Sequence, residues 1–327
     1  MEIWFNYGDS EIALDIKAEN ILERIEHKKV DSQISIEVFD SINVNHLNMY
    51  ILDDRKIIED LATKIKERLE RKGITTNIFT SSSSFDDNIY NRKDTLLISG
   101  ASFDPLFGYS GVVSNIARKN KDFMKYIIQD NVEPSPGSIT NLSMAYENVR
   151  SFECKSLEVI IDNDSIIDFV IDEPIKASQY MINKLNAFRI KCERCKSIII
   201  GSGRTSTLHH SLTSLWNCIN VLREGGDAIL LTESSNGLGS TALQIYLNRG
   251  KIDGYIRGIE DILFIKWARD RYNISLVTSL PDYYLKILGF TPFRSINYAL
   301  KSILEKNPRQ KITLVQDASN IMLERLE

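Results

Sequence analysis

The chain has 327 residues, room for two ordinary domains, and 43% hydrophobic with 26% charged residues is the balance of a soluble globular protein. A formal charge of -4 excludes a strongly basic surface for nucleic acid or for an acidic membrane. Four scattered cysteines exclude a disulfide scaffold, and neither a bilayer-length apolar run nor a leader after Met1-Glu-Ile-Trp4 is present, so a cytoplasmic protein is expected.

Leu47–Leu52 is a compact apolar strand. It is followed by Ile57, Ile58, Leu61, Ala62, Ile65 and Leu69, a helical stripe that Gly73 stops. Strands follow at Thr75–Phe79 and Thr95–Ser99, with the serine run 81–84 as a solvated loop between them. Leu157–Ile161 and Ile166–Ile171 flank the turn-prone Asp162-Asn-Asp-Ser165 and predict a hairpin. A long helix over Pro174–Arg194 is expected to bridge two domains. After it, strands at Ser197–Ile200, Ala228–Thr232, Ile274–Thr278 and Lys311–Val315 alternate with helices. The first of these helices, Leu208–Leu222, buries Leu212, Leu215, Trp216, Ile219 and Leu222. Alternating βα units imply a parallel sheet covered on both faces. The fold class is therefore α/β, with a mixed N-terminal domain over 1–182 and a Rossmann-like C-terminal domain over 183–327 built on four strands.

Ligands of open parallel sheets bind beyond the carboxyl ends of the strands. Three small-residue loops are expected there: Gly100–Gly111, Gly201-Ser-Gly-Arg204 and Asn236-Gly-Leu-Gly-Ser240. Their amides suit an anion, and Arg204 suits a carboxylate or phosphate, although strand-end turns use glycine for plain geometry as well. No Walker or dinucleotide fingerprint is present. His209-His210 is the only histidine pair and opens a helix, fit either to contact a carboxylate or proton or simply to satisfy the helix end. His27 and His46 look structural. Cys192-x-x-Cys195 with the two histidines matches no standard zinc spacing, so no metal is expected, and Cys154 and Cys218 are read as small buried hydrophobes. Asp53-Asp54-Arg55 follows a strand, and its arginine is either an anion contact or part of a charged loop.

The segment Asp104-Pro-Leu-Phe-Gly-Tyr-Ser-Gly-Val-Val-Ser114 resembles the lactate racemase motif His-x-x-x-Gly-Phe-Ser-Gly-Gly-x-Lys. It keeps Gly108-Tyr109-Ser110-Gly111 and reads Asp104 and Ser114 at the histidine and lysine positions. Similar family segments run in order along nearly the whole chain. They include the opening strands of Met1–Ile16, Gly137-Ser-Ile-Thr-Asn141, Ile171-Asp-Glu-Pro-Ile-Lys-Ala177, Gly225–Leu231, Leu276–Pro281 and Leu288–Pro292. Thr80–Ser84 replaces the family's Gly-Thr-x-His-Arg, and the insert that follows it is missing between Ser84 and Asp94.

The resemblance implies a racemase fold in which the lysine holds a nickel-pincer nucleotide covalently and the histidine moves a proton. It sets His209 and Thr213 where a tyrosine and a lysine contact the hydroxy acid, Asp130 near a nickel-ligating histidine, and Arg55 in a worn Asp-x-Thr-Arg. Neither an amine at Ser114 nor imidazole at Asp104 is available, so no cofactor is expected. Instead a small anionic hydroxy or oxo acid is expected between the domains. Arg55, Gly108, Ser110, Gly111, Ser114, Gly203, Arg204, Thr213 and Gly237 are its candidate contacts, and Asp104 and His209 are the candidate catalytic groups. Asp104, Ser110, Ser114, Arg204 and His209 are expected to face one another. The alternative is an active isomerase, a racemase or epimerase of a 2-hydroxy acid working with a different residue set. Beyond the acid, the remaining expected partner is a second copy of the chain, with neither nucleic acid nor membrane.

Overall fold

The computed structural model describes residues 1–26, 36–42, 44–80, 87–128, 132–162 and 165–326. His27, Asp130, the serine run 81–84 and the tip of the expected hairpin at 163–164 lie outside the described residues. No helix among those described is long and apolar enough to cross a membrane.

Strands β1 (Glu2–Tyr7) and β2 (Ser10–Asp15) form an antiparallel hairpin, and β3 (Ile21–Ile25) follows. Then come β4 (His46–Ile51), α1 (Lys56–Glu70), β5 (Thr75–Phe79) and β6 (Thr95–Ala101). The predicted stripe of α1 is buried at Ile58, Leu61, Ala62, Ile65 and Leu69. A short hairpin of β7 (Phe103–Asp104) and β8 (Gly108–Tyr109) leads into α2 (Val112–Ala117), α3 (Lys121–Ile127) and α4 (Thr140–Tyr146). Antiparallel β9 (Lys155–Asp162) and β10 (Ser165–Asp172) close the first sheet, whose order is β10-β9-β6-β4-β5. Within it β4, β5, β6 and β9 run parallel.

Helix α5 (Pro174–Leu185) starts on proline, whose fixed φ suits a first turn. It ends nine residues before the expected Arg194 (194 − 185), because Arg189–Cys192 forms strand β11. Alternation at Arg-Ile-Lys-Cys is too brief to read alone, and the partner strand lies near the far end of the chain. Next are β12 (Cys195–Gly201), α6 (Leu208–Cys218), β13 (Leu222–Leu231), α7 (Thr241–Arg249), α8 (Ile259–Arg269) and β14 (Asn273–Val277). The chain finishes with α9 (Asp282–Leu288), β15 (Thr291–Phe293), α10 (Ile296–Lys306), β16 (Ile312–Val315) and β17 (Met322–Arg325), the last pairing in parallel with β11.

The second sheet has the order β15-β14-β13-β12-β16-β3 and is parallel throughout. The expected strands at 197–200, 228–232 and 274–278 thus lie side by side, but the sheet has six strands rather than four. Edge strand β15 is Thr-Pro-Phe, short and proline-bearing as edges tolerate. The other addition, β3, comes from the N-terminal segment, and Ile3, Phe5, Leu14 and Ile16 of the hairpin share a core with Ile199, Ile229 and Leu314. Between the sheets the packing is continuous: Phe103, Phe107, Tyr109 and Val112 share one apolar cluster with Leu208, Leu212, Leu215 and Trp216. Burial in this shared cluster contributes about 25 cal/mol per Å² of apolar surface to the contact between the two sheets.

Candidate functional site

After β6 the chain turns back on itself, and the turn is built from the residues that carried the motif. Asp104 is buried, and its Oδ1 accepts from the amides of Leu106 and Phe107, each at 2.8 Å. Gly108 has φ +80°, and a Cβ there would stand 1.8 Å from the carbonyl oxygen of Ser138, so only glycine lets these two backbones touch. The Ser110 amide donates to Ser102 O, and the two hydroxyls lie 2.8 Å apart. Gly111 N donates to Ser114 Oγ, whose hydroxyl donates back to Gly111 O, and Ser114 is fully buried. Val112 N donates to Glu158 Oε1 at 3.0 Å. In this first loop the amides of Leu106, Phe107, Ser110, Gly111 and Val112 are therefore satisfied by the protein itself. Glu158 is 1% exposed with Oε2 unpartnered, and burial raises its pKa to about 8.

A charged junction forms where the ends of β4 and β6 meet the starts of α6 and α8. Arg118, just past α2, reaches Asp104 Oδ2 at 2.7 Å and Glu260 Oε1 at 3.0 Å, stacked over the Phe107 ring. Burial opposes its charge, but the two carboxylates outweigh that and hold it firmly protonated. Glu260 Oε2 is buried without a partner. Thr207 caps α6, and the two residues after Leu208 are the histidines. His209 Nδ1 stands 2.6 Å from Asp261 Oδ2, and because a carboxylate only accepts, Nδ1 carries the proton. Burial disfavours the imidazolium, yet Asp261, with Glu260 behind it, raises its pKa to about 9. His210 Nδ1 meets Thr207 Oγ1 at 3.1 Å, and its Nε2 meets Asp54 Oδ1 at 3.4 Å. The His210 hydrogen bond holds Asp54 well below the usual carboxylate range. Arg55 is chelated by Asp53, whose Oδ2 also accepts from Gly100 N at 3.2 Å. Any side chain at Gly100 would collide with that guanidinium.

The junction thus brings Asp104, Arg55 and His209 to one end of the two sheets, with Asp104 and Arg55 each engaged in an ion pair. Ser114 is directed into the protein and does not join them. Gly108, Ser110 and Gly111 shape the turn. Gly203 is buried in a φ +70° turn bridged to Tyr7, Arg204 is exposed, Thr213 is half-buried on α6, and Gly237 occupies a φ +79° turn. Between Gly203 and Gly237 runs a chain of hydroxyls: Ser202, Thr205, Ser211, Thr232 and Ser234 are linked at 2.6–2.9 Å. Cys192 and Cys195 are buried, and burial pushes both thiols above their usual range. Among the described residues no group of three or more His, Cys, Asp or Glu side chains is placed to hold a metal ion.

Sequence reasoning missed Arg118, Glu158, Glu260 and Asp261. Glu260-Asp261 carried a signal, since acidic residues favour the first turn of a helix. Arg118 carried none, because its partners lie 14 and 142 residues away. The resemblance puts the cofactor-attachment position at Ser114 and the proton-transfer position at Asp104; in the structure the first is a buried hydroxyl that closes a helix turn and the second a carboxylate paired with Arg118, neither of which suits a covalently held nickel-pincer nucleotide.

No family model and no curated protein matches the chain by sequence. Among solved structures, the lactate racemase apoprotein from Thermoanaerobacterium thermosaccharolyticum superposes with a TM-score of 0.69 at 14% identity, over 99% of this chain and 100% of that one. A structural-genomics protein from Thermotoga maritima gives 0.58 at 9% identity, over 89% and 96%. This chain has the lactate racemase-like α/β fold.

Proposed function

We propose that this protein binds a small anionic hydroxy or oxo acid at the charged junction between its two sheets and does not carry out nickel-pincer racemisation. The supporting observation is the engagement of Asp104 and Ser114, whose polar atoms are already committed to Leu106, Phe107, Arg118 and Gly111. A hydroxyl cannot form the family's amine linkage, and an ion-paired carboxylate is a poor proton shuttle. His209 at the start of α6, held protonated by Asp261, supplies the cationic group that an acid requires. In this reading the protein has a domain over 1–182 and a domain over 183–327, with the N-terminal hairpin reaching back to the second, and it works in the cytoplasm.

The test combines two measurements. Intact mass and nickel content of protein made alongside the cofactor pathway should show an unmodified chain without nickel, and neither lactate enantiomer should racemise. Calorimetric titration with lactate and with pyruvate should show saturable binding of at least one of them. A stoichiometric adduct with nickel, or racemisation abolished by Asp104→Ala, overturns the reading toward an active isomerase. Absence of binding for both acids overturns it as well.

A further inference from the structure

Helix α10 stands as a ridge between two open grooves. One lies on the side of edge strand β15 and is lined by Asp282, Phe293, Arg294 and Tyr298. The other lies against the N-terminal hairpin, where Leu300, Leu304 and Pro308 form an apolar floor beside Asp15. Lys301 and Glu305 line both grooves and pair with each other at 3.7 Å on the crest. Tyr298 shares that crest, is 65% exposed, and its hydroxyl meets no partner among the described residues. Spacings of three and four residues put 298, 301 and 305 on one helical face. We propose that this ridge is the contact between two copies of the chain, related by a two-fold axis that crosses α10 midway between Lys301 and Glu305. Such pairing is independent of acid binding at the junction.

A two-fold contact uses the same patch on both protomers, so the patch must complement itself. With the axis at that midpoint, an antiparallel copy of α10 sets each Lys301 opposite the Glu305 of its partner. Residues 298 and 308 share the same midpoint, so each Tyr298 falls level with the Pro308 of the other protomer. The ring then enters the apolar groove of Leu304 and Pro308 while its hydroxyl stays at the wet rim, the use that interfaces make of tyrosine. One register thus serves the charged pair and the aromatic anchor together. Charge also selects the occupant. The grooves carry the acids Asp15, Asp282 and Glu305 among the bases Arg294 and Lys301, so a partner of one sign meets repulsion, whereas the inverted patch meets opposite charges at its centre. A convex crest with a groove on each flank suits a second helix, since a small molecule needs an enclosing cleft.

The experiment is analytical ultracentrifugation of the full chain from about 1 to 200 µM, with circular dichroism as the check on folding. Wild-type protein should sediment as a monomer–dimer equilibrium whose dimer fraction rises with concentration. Lys301→Glu sets two acids against each other at both symmetric contacts, and Glu305→Lys sets two bases. Each should raise the dissociation constant at least about tenfold. Mixed in equal amounts, the two variants should associate again, because one crest is then wholly acidic and the other wholly basic. No effect within a single chain produces that recovery. Tyr298→Ala should also weaken the dimer at least about tenfold. Tyr283→Ser on α9, exposed but outside both grooves, should leave the equilibrium unchanged. A wild-type monomer at the highest concentration overturns the proposal. So does a dimer that neither charge reversal weakens, or a variant mixture that stays monomeric.

Discussion

Replacing Glu158 by glutamine should stabilise the protein near neutral pH, and by an amount that grows with pH. Glu158 lies on a central strand beneath the start of α2, with one oxygen on Val112 N and the other unpartnered. Burial raises its pKa from the ordinary 4.5 to about 8. In the unfolded chain the group ionises above 4.5, so between 4.5 and 8 the native state binds more protons and stability falls as pH rises. At pH 7 the cost is roughly 3 kcal/mol, at about 1.4 kcal/mol for each pH unit above the unfolded value. Glutamine keeps the Val112 acceptor and never ionises, but its amide leaves two N–H donors unmet where the acid left one O–H, a cost that does not depend on pH. Urea denaturation of both proteins from pH 4 to 9 should give a stability difference that is least favourable to glutamine at the acid end, where only the extra unmet N–H counts. It should rise by up to about 1.4 kcal/mol per unit and level off above pH 8. Contributions from every other titrating group cancel in that difference. A difference that does not change with pH would refute the reasoning.

Two further outcomes follow from the packing. Arg118→Met should cost about 3–5 kcal/mol in denaturant unfolding, because Asp104 and Glu260 stay buried without their cation. Most of that loss should return when both carboxylates are also neutralised as Asp104→Asn and Glu260→Gln, and a single-variant loss under about 1 kcal/mol would discount the triad. Gly73→Ala and Gly108→Ala share a positive φ, +83° and +80°, but Gly73 opens onto free space while Gly108 meets the Ser138 backbone. The first should cost about 1–2 kcal/mol and the second distinctly more, so equal midpoint shifts would refute the contact.

Much of the architecture was legible because it depends on local periodicity. The α1 stripe, the β9–β10 pair and the run of β12, β13 and β14 each carry their pattern within a dozen residues. What escaped depended on remote partners: β3 and β11 become strands by pairing with β16 and β17, and neither pairing leaves a local mark. The site divides the same way. His209-His210 stood out as a rare residue pair at a helix start, and the structure puts it at the junction. The Gly108–Gly111 frame was legible through its resemblance to the lactate racemase motif, but shape and chemistry come apart there. Its glycines are needed for backbone contact with Ser138 and for the approach of Glu158. Asp104 looked like a reactive group because a distant guanidinium cannot be inferred from residues 104–114.

The placement of β3 also bears on the order in which the chain can become native. Asn20, just before that strand, donates to the carbonyl of Gln310, 290 residues on, and among the described residues β3 itself pairs only with β16. On the ribosome, the N-terminal hairpin and β3 must therefore wait until nearly the whole chain has emerged before reaching their native partners. The first sheet, whose strands lie between 46 and 172, faces no such delay. Contacts this remote raise the contact order and slow the final step. Meanwhile the apolar residues of the hairpin stay exposed, which makes the waiting N-terminus the segment most in need of a chaperone during synthesis.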